Sequence, residues 1–154
     1  KKNKLRIKLI LAGKIDVDLK NIFSENIEID YKGYVNHEEA IRLIKSSHLL
    51  VNFTYENTEE TDMLSGKLIE YIASGSPIIN FSNSGMESQN VLKLSKKSFN
   101  ANSFSLDKVV KFINAEYNEW KAGNYRKYPI DNIESLSRES LTKKLIDIIN
   151  KINS

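Results

Sequence analysis

The run Ser65-Gly66-Lys67-Leu68-Ile69-Glu70-Tyr71-Ile72-Ala73-Ser74-Gly75-Ser76-Pro77-Ile78-Ile79-Asn80 decides how the rest of the chain is read. Its first half is a short amphipathic helix bearing one acid, Glu70. Gly75 stops that helix, and Pro77 opens an apolar strand that reaches Phe81. A glycine at that point is expected to sit at positive φ, so that Gly75→Val would cost roughly 1–3 kcal/mol.

Upstream, Leu5 to Ala12 alternates and then turns continuously apolar before Gly13, which predicts a strand buried on both faces at its end, as in a parallel sheet. A short helix is expected over Asp18 to Phe23. A second strand, of period two, runs from Ile27 to Lys32 and ends at Gly33. Asn36 is placed to cap the next helix, with Glu38 and Glu39 in its first turn and Ala40, Ile41, Leu43 and Ile44 on its buried face. His48 to Phe53 reads as a third strand, the polar stretch Thr54 to Met63 as a loop of the kind that carries function, and Pro77 to Phe81 as a fourth strand before a turn at Asn83-Ser84-Gly85. This alternation predicts an α/β fold: a Rossmann-like, doubly wound parallel sheet over about residues 5–105, with ligands beyond the carboxyl ends of its strands.

Downstream, Val109, Ile113, Tyr117 and Trp120 mark one face of a helix over about 106–121, a stripe of the packing kind. Ala122-Gly123-Asn124 ends it. A last helix over about 133–152 carries Leu141, Leu145, Ile148, Ile149 and Ile152 on one side and Arg138, Lys143, Lys144 and Lys151 opposite. That arrangement has the look of a membrane-surface helix, but Glu139 and Asp147 dilute its charge, and core packing is the expected use of the apolar side. Tyr125, Arg126, Lys127 and Tyr128 read equally as a surface loop or as a stacking surface for a base or sugar.

With 154 residues, 40% hydrophobic and 28% charged, the chain suits a single domain with one core. A net charge of +3 without a basic tract gives no support to nucleic acid as partner. The absence of cysteine excludes disulfides and thiolate metal sites, and no apolar run approaches bilayer length. The expectation is a cytoplasmic protein. Asn52-Phe53-Thr54 and Asn80-Phe81-Ser82 match the glycosylation sequon but lie in apolar strands and read as chance. Glu56, Glu59, Glu60 and Asp62 lack the spacing of a calcium loop. His37 and His48 are the only imidazoles, so no metal site is predicted and His48 reads as structural. Hydrolase, ATPase and dehydrogenase fingerprints are missing from the sequence.

Three segments in order, Ile10-Leu11-Ala12-Gly13-Lys14, Tyr31-Lys32-Gly33-Tyr34-Val35, and Gly66-Lys67-Leu68-Ile69-Glu70-Tyr71 with Gly75 and Pro77, resemble the C-terminal, nucleotide-sugar-binding half of retaining GT-B glycosyltransferases of the group 1 and glycogen-synthase-like type. The resemblance covers roughly residues 5–83. Family members carry an acid, seven residues and a glutamate. Counting back from Glu70 reaches Asp62, where glutamate is usual. The resemblance implies that Glu70 holds the ribose, that Ser65, Gly66 and Lys67 receive the diphosphate at a helix start, that Asp62 orients the sugar, and that Gly33, Tyr34 and Val35 read the base edge.

It further implies that the parent enzyme transfers a sugar, with retention, from a nucleotide-diphosphate donor to a glycan or lipid-linked acceptor in bacterial polysaccharide biosynthesis. A UDP-sugar is the leading donor, and no cofactor or metal is required. The chain reads as incomplete at its N-terminus, lacking the basic diphosphate loop and the N-terminal domain as intramolecular partner. The fragment alone is expected to be inactive. Peripheral association with the inner face of the membrane stays open. The alternatives are a non-catalytic Rossmann-like binding or scaffold module and a sugar-nucleotide epimerase.

Overall fold

A computed structural model describes residues 5–16, 27–53, 65–82, 87–102, 105–131, 134 and 137–152. The helix expected over Asp18 to Phe23, the loop from Thr54 to Met63 and the turn at Asn83-Ser84-Gly85 lie outside these residues. The chain divides into two compact units, residues 1–46 and 47–154.

The first unit contains strands β1 (Ile7–Ala12) and β2 (Ile27–Gly33) and helix α1 (His37–Ser46). β1 and β2 pair in parallel, Ile7 opposite Ile27 and Leu9 opposite Ile29, with a register shift after Leu11. Gly33 turns out of β2 at φ 64°, and its carbonyl accepts the Gly13 N–H at 2.8 Å. The outer residues pair by charge: Lys8 lies 2.9 Å from Asp30 and 3.3 Å from Glu28, and Lys32 lies 2.9 Å from Asp30. The Lys32 and Lys8 ammonium groups hold the Asp30 carboxyl below the usual range. Asn36 caps α1 as expected, its Oδ1 accepting the Glu39 N–H at 2.8 Å.

The second unit is built on a parallel sheet in the order β3 (Leu50–Phe53), β4 (Ile78–Phe81), β5 (Ser98–Ala101), joined with helices α2 (Gly66–Ser74), α3 (Glu87–Leu92), α4 (Leu106–Lys121) and α5 (Arg138–Ile152). The expected α/β class, with parallel strands and intervening helices, is therefore present. Ile78 and Ile79 point to opposite faces of the central strand and both are fully buried. On one face Ile79 and Ala101 pack with Val109 of α4, joined by Phe81, Phe99, Phe112 and Ile113. Val109 and Ile113 thus confirm the packing reading of the α4 stripe, whose far end, Trp120, is half-exposed. α2 runs against β3 and α3, and its Leu68 and Ile72 are buried.

Three elements depart from the sequence reading. β5 and α3 were not expected: β5 is a four-residue strand, Ser98-Phe99-Asn100-Ala101, whose composition alone carries little strand signal and which owes its place to pairing with β4. α5 begins at Arg138 rather than near residue 133, because Ser137 caps it, its Oγ accepting the Ser140 N–H at 3.1 Å. Its apolar side does not enter a core. No α5 residue is buried, and Leu141, Leu145, Ile148, Ile149 and Ile152 are all about half-exposed or more.

Candidate functional site

Gly75 ends α2 at φ 70°, in the left-handed region, with its N–H bonded to the Ile72 carbonyl. Conformation is only half of the reason for a glycine. A Cβ there would lie 2.8 Å from the Pro129 nitrogen and 2.9 Å from the Tyr128 carbonyl carbon. The segment after α4 is strapped across this turn: Tyr128 N–H donates to the Gly75 carbonyl at 2.7 Å, Lys127 Nζ donates to Ser76 Oγ at 2.7 Å, and Tyr125 OH donates to the Ser47 carbonyl at 3.4 Å. Lys97 Nζ adds an ion pair to the buried Glu116 at 2.9 Å and a hydrogen bond to Tyr128 OH at 3.3 Å. The Arg126 and Lys97 cations hold the Tyr128 phenol below its ordinary value. Tyr125 also meets His48 edge to face at 4.7 Å, and Trp120 meets the same imidazole at 5.9 Å. Tyr125 to Tyr128 therefore serve as a structural strap at the amino-terminal end of β3 and β4, away from the carboxyl ends where parallel sheets take ligands.

At the other end of α2, Ser65 occupies the N-cap with extended backbone but makes no side-chain capping bond. The first turn contains no acid, Lys67 is exposed, and nothing lies within 4 Å of the side-chain position of Gly66. A helix start of this kind presents backbone N–H groups and a cation to an anion. Glu70 lies three residues from Lys67 and four from Gly66, on the same side of the helix and half-buried, while Leu68 and Ile72 anchor the other side. Burial, reinforced by the Glu70 carboxylate, pushes the neighbouring Tyr71 phenol up.

The expected residues thus fall into separate groups. Ser65, Gly66, Lys67 and Glu70 come together on the first turns of α2. Gly33, Tyr34 and Val35 stand together at the end of β2 in the first unit, Tyr34 almost wholly exposed. Asp62 lies outside the described residues. Among the described residues, no three His, Asp or Glu side chains gather as a metal site would require.

A further feature went unread in the sequence. Asn52, Asn80 and Asn100 occupy matching positions in β3, β4 and β5, near their carboxyl ends, and form a ladder. Asn52 Nδ2 donates to Asn80 Oδ1 at 2.7 Å, Asn80 Nδ2 donates to Asn100 Oδ1 at 2.8 Å and to Ser82 Oγ at 3.1 Å, and Ser82 Oγ donates to Asn100 Oδ1 at 2.8 Å. Gln89 Nε2 of α3 reaches Ser82 Oγ at 3.4 Å. Burial of these amides is tolerable because they satisfy one another, and the sharing works in one strand register only. The signal lay in the recurrence of an asparagine between apolar residues in Val51-Asn52-Phe53, Ile79-Asn80-Phe81 and Phe99-Asn100-Ala101. It also removes the two sequons as acceptors in the folded chain, since the Asn52 and Asn80 amides are buried.

No family model, curated protein or solved structure matches the chain. What the start of α2 can do follows from its own groups. Backbone N–H groups and Lys67 are complementary to a phosphate, and a carboxylate one turn further accepts hydrogen bonds from vicinal hydroxyls. The described part of this site recognises, and holds no paired nucleophile and base.

Proposed function

We propose that the chain is the nucleotide-sugar-binding part of a retaining glycosyltransferase of the GT-B type, its parallel strands belonging to a Rossmann-like, doubly wound arrangement. The observation that carries this reading is the order along α2: an open helix start at Ser65 to Lys67, Glu70 one turn inside it, and a glycine stop at Gly75 leading into a strand buried on both faces. In this reading the diphosphate of the donor lies at the α2 start, Glu70 accepts hydrogen bonds from both ribose hydroxyls, and Asp62 orients the sugar. Transfer to a glycan or lipid-linked acceptor then draws on stabilisation of the diphosphate leaving group and on positioning of the acceptor.

The test is a titration of the isotopically labelled chain with UDP, GDP and UDP-sugars followed by NMR, repeated on Glu70→Ala. Saturable shifts at Ser65 to Glu70, weakened on the order of tenfold in a folded Glu70→Ala variant, are expected for a charge-assisted contact of this kind. Equal affinity in the variant would remove the ribose role of Glu70. No saturable shift in the full-length protein would favour a non-catalytic module.

A further inference from the structure

We propose that α5 is an interfacial helix that seats the protein on an anionic lipid surface. Fifteen residues long, it extends about 22 Å at the rise of an α-helix. Leu141, Leu145, Ile148, Ile149 and Ile152 recur at helical spacing along one arc, and each is exposed to 47% or more. No described residue of the second unit covers them enough to bury one. Among the described residues no helix is long and apolar enough to cross a bilayer, so such a face would lie along a membrane rather than span it.

Charge selects the occupant. Lys144 stands three residues from Leu141 and four from Ile148, and Lys151 stands three from Ile148, so both border the apolar arc at the depth where lipid phosphates lie. Their alkyl stems can follow the apolar surface while the ammonium groups reach outward. Neither acid lies within the apolar arc: Glu139 pairs with Lys143 at 2.8 Å, and Asp147 stands on the polar side of the lysine border, three residues from Lys144 and four from Lys151. The helix carries four cationic against two acidic side chains. A second copy of the chain is a poorer match. Two such helices laid face to face bring lysine borders together, while Thr142 and Ile149, which flank the opposite border, offer no acid to meet them. This inference is independent of the donor-binding reading.

The experiment is co-sedimentation of the chain with phosphatidylcholine vesicles, with and without phosphatidylglycerol, beside light scattering without lipid. Binding is expected only with the anionic lipid, weakening as salt rises. Lys144→Gln with Lys151→Gln should reduce it about 25-fold, since each lysine near a charged bilayer contributes about fivefold. Leu145→Glu should abolish it while leaving the circular dichroism spectrum and thermal midpoint unchanged, because the side chain is exposed in the free protein. Three results would overturn the proposal: no sedimentation with anionic vesicles, equal binding to both vesicle types that the lysine substitutions leave untouched, or a concentration-dependent dimer that Leu145→Glu dissolves.

Discussion

α4 and α5 are near twins as sequences. Their lengths are 16 and 15 residues, and each spaces its apolar side chains to form one continuous stripe. In the fold they diverge. α4 lays Val109, Phe112 and Ile113 onto Ile79, Phe99 and Ala101 and buries even a carboxylate, Glu116, because Lys97 reaches it from the turn before β5. α5 buries none of its residues. The difference teaches that apolar periodicity states a need for a partner without naming the partner. What names it for α4 is a second set of contacts, the strap from Tyr125 to Tyr128 and the Lys97–Glu116 pair.

The sharpest way to break the contrast is to loosen the α4 side until it resembles α5. Gly75→Val should have the largest effect, about 4 kcal/mol of lost stability, because strain at positive φ adds to a clash with the Tyr128 and Pro129 backbone. Chemical denaturation of the folded chain measures it. A loss under about 1 kcal/mol would mean that the strap shifts freely and does not anchor α4. Next, Lys97→Met should cost about 3 kcal/mol, at the low end for a broken buried pair, since 27% of the Lys97 side chain remains in water. Burial opposes the Lys97 charge, but Glu116 and Tyr128 outweigh it and hold the ammonium above the ordinary lysine value of 10.5. A folded pKa raised in this way stabilises the fold fully below that value, and the contribution fades as pH climbs through the folded one. The gap between wild type and Lys97→Met should therefore stay constant from neutral to about pH 10 and narrow only above it. A gap that closes near neutral pH would show that Lys97 does not carry the pair.

Much of this architecture was legible in the residues. The Gly75 stop, the Asn36 cap, the limits of α4 and the parallel character of the strands each follow from a local rule with one physical cause. The start of α2 was legible for the same reason, since Ser65, Gly66, Lys67 and Glu70 are neighbours on one helix. What stayed hidden depends on partners distant in sequence. β5 is a strand because β4 lies beside it, Glu116 is buried because Lys97 approaches it, and Asn52, Asn80 and Asn100 form a ladder only once three short strands align. The α5 stripe was misread for a related reason: burial of such a stripe is the common outcome, and only the fold shows that here nothing within the described chain supplies it.

The smallest expected effect is also the most direct comparison of the two helices. Val109→Ala on α4 should cost about 2 kcal/mol, because removing methyl groups from a packed position leaves a cavity against Ile79 and Ala101. Leu145→Ala on α5 removes more apolar volume, yet it should change stability by less than about 0.5 kcal/mol, since Leu145 is 56% exposed and alanine is at least as good a helix former. Urea unfolding of both variants beside wild type decides the matter. A Leu145→Ala cost of about 2 kcal/mol or more, the ordinary value for a buried leucine, would mean that the α5 face is covered within the free chain and would take the lipid-facing role away from it. A near-silent Leu145→Ala that nevertheless weakens vesicle binding would place the energetic value of that face in association rather than in folding.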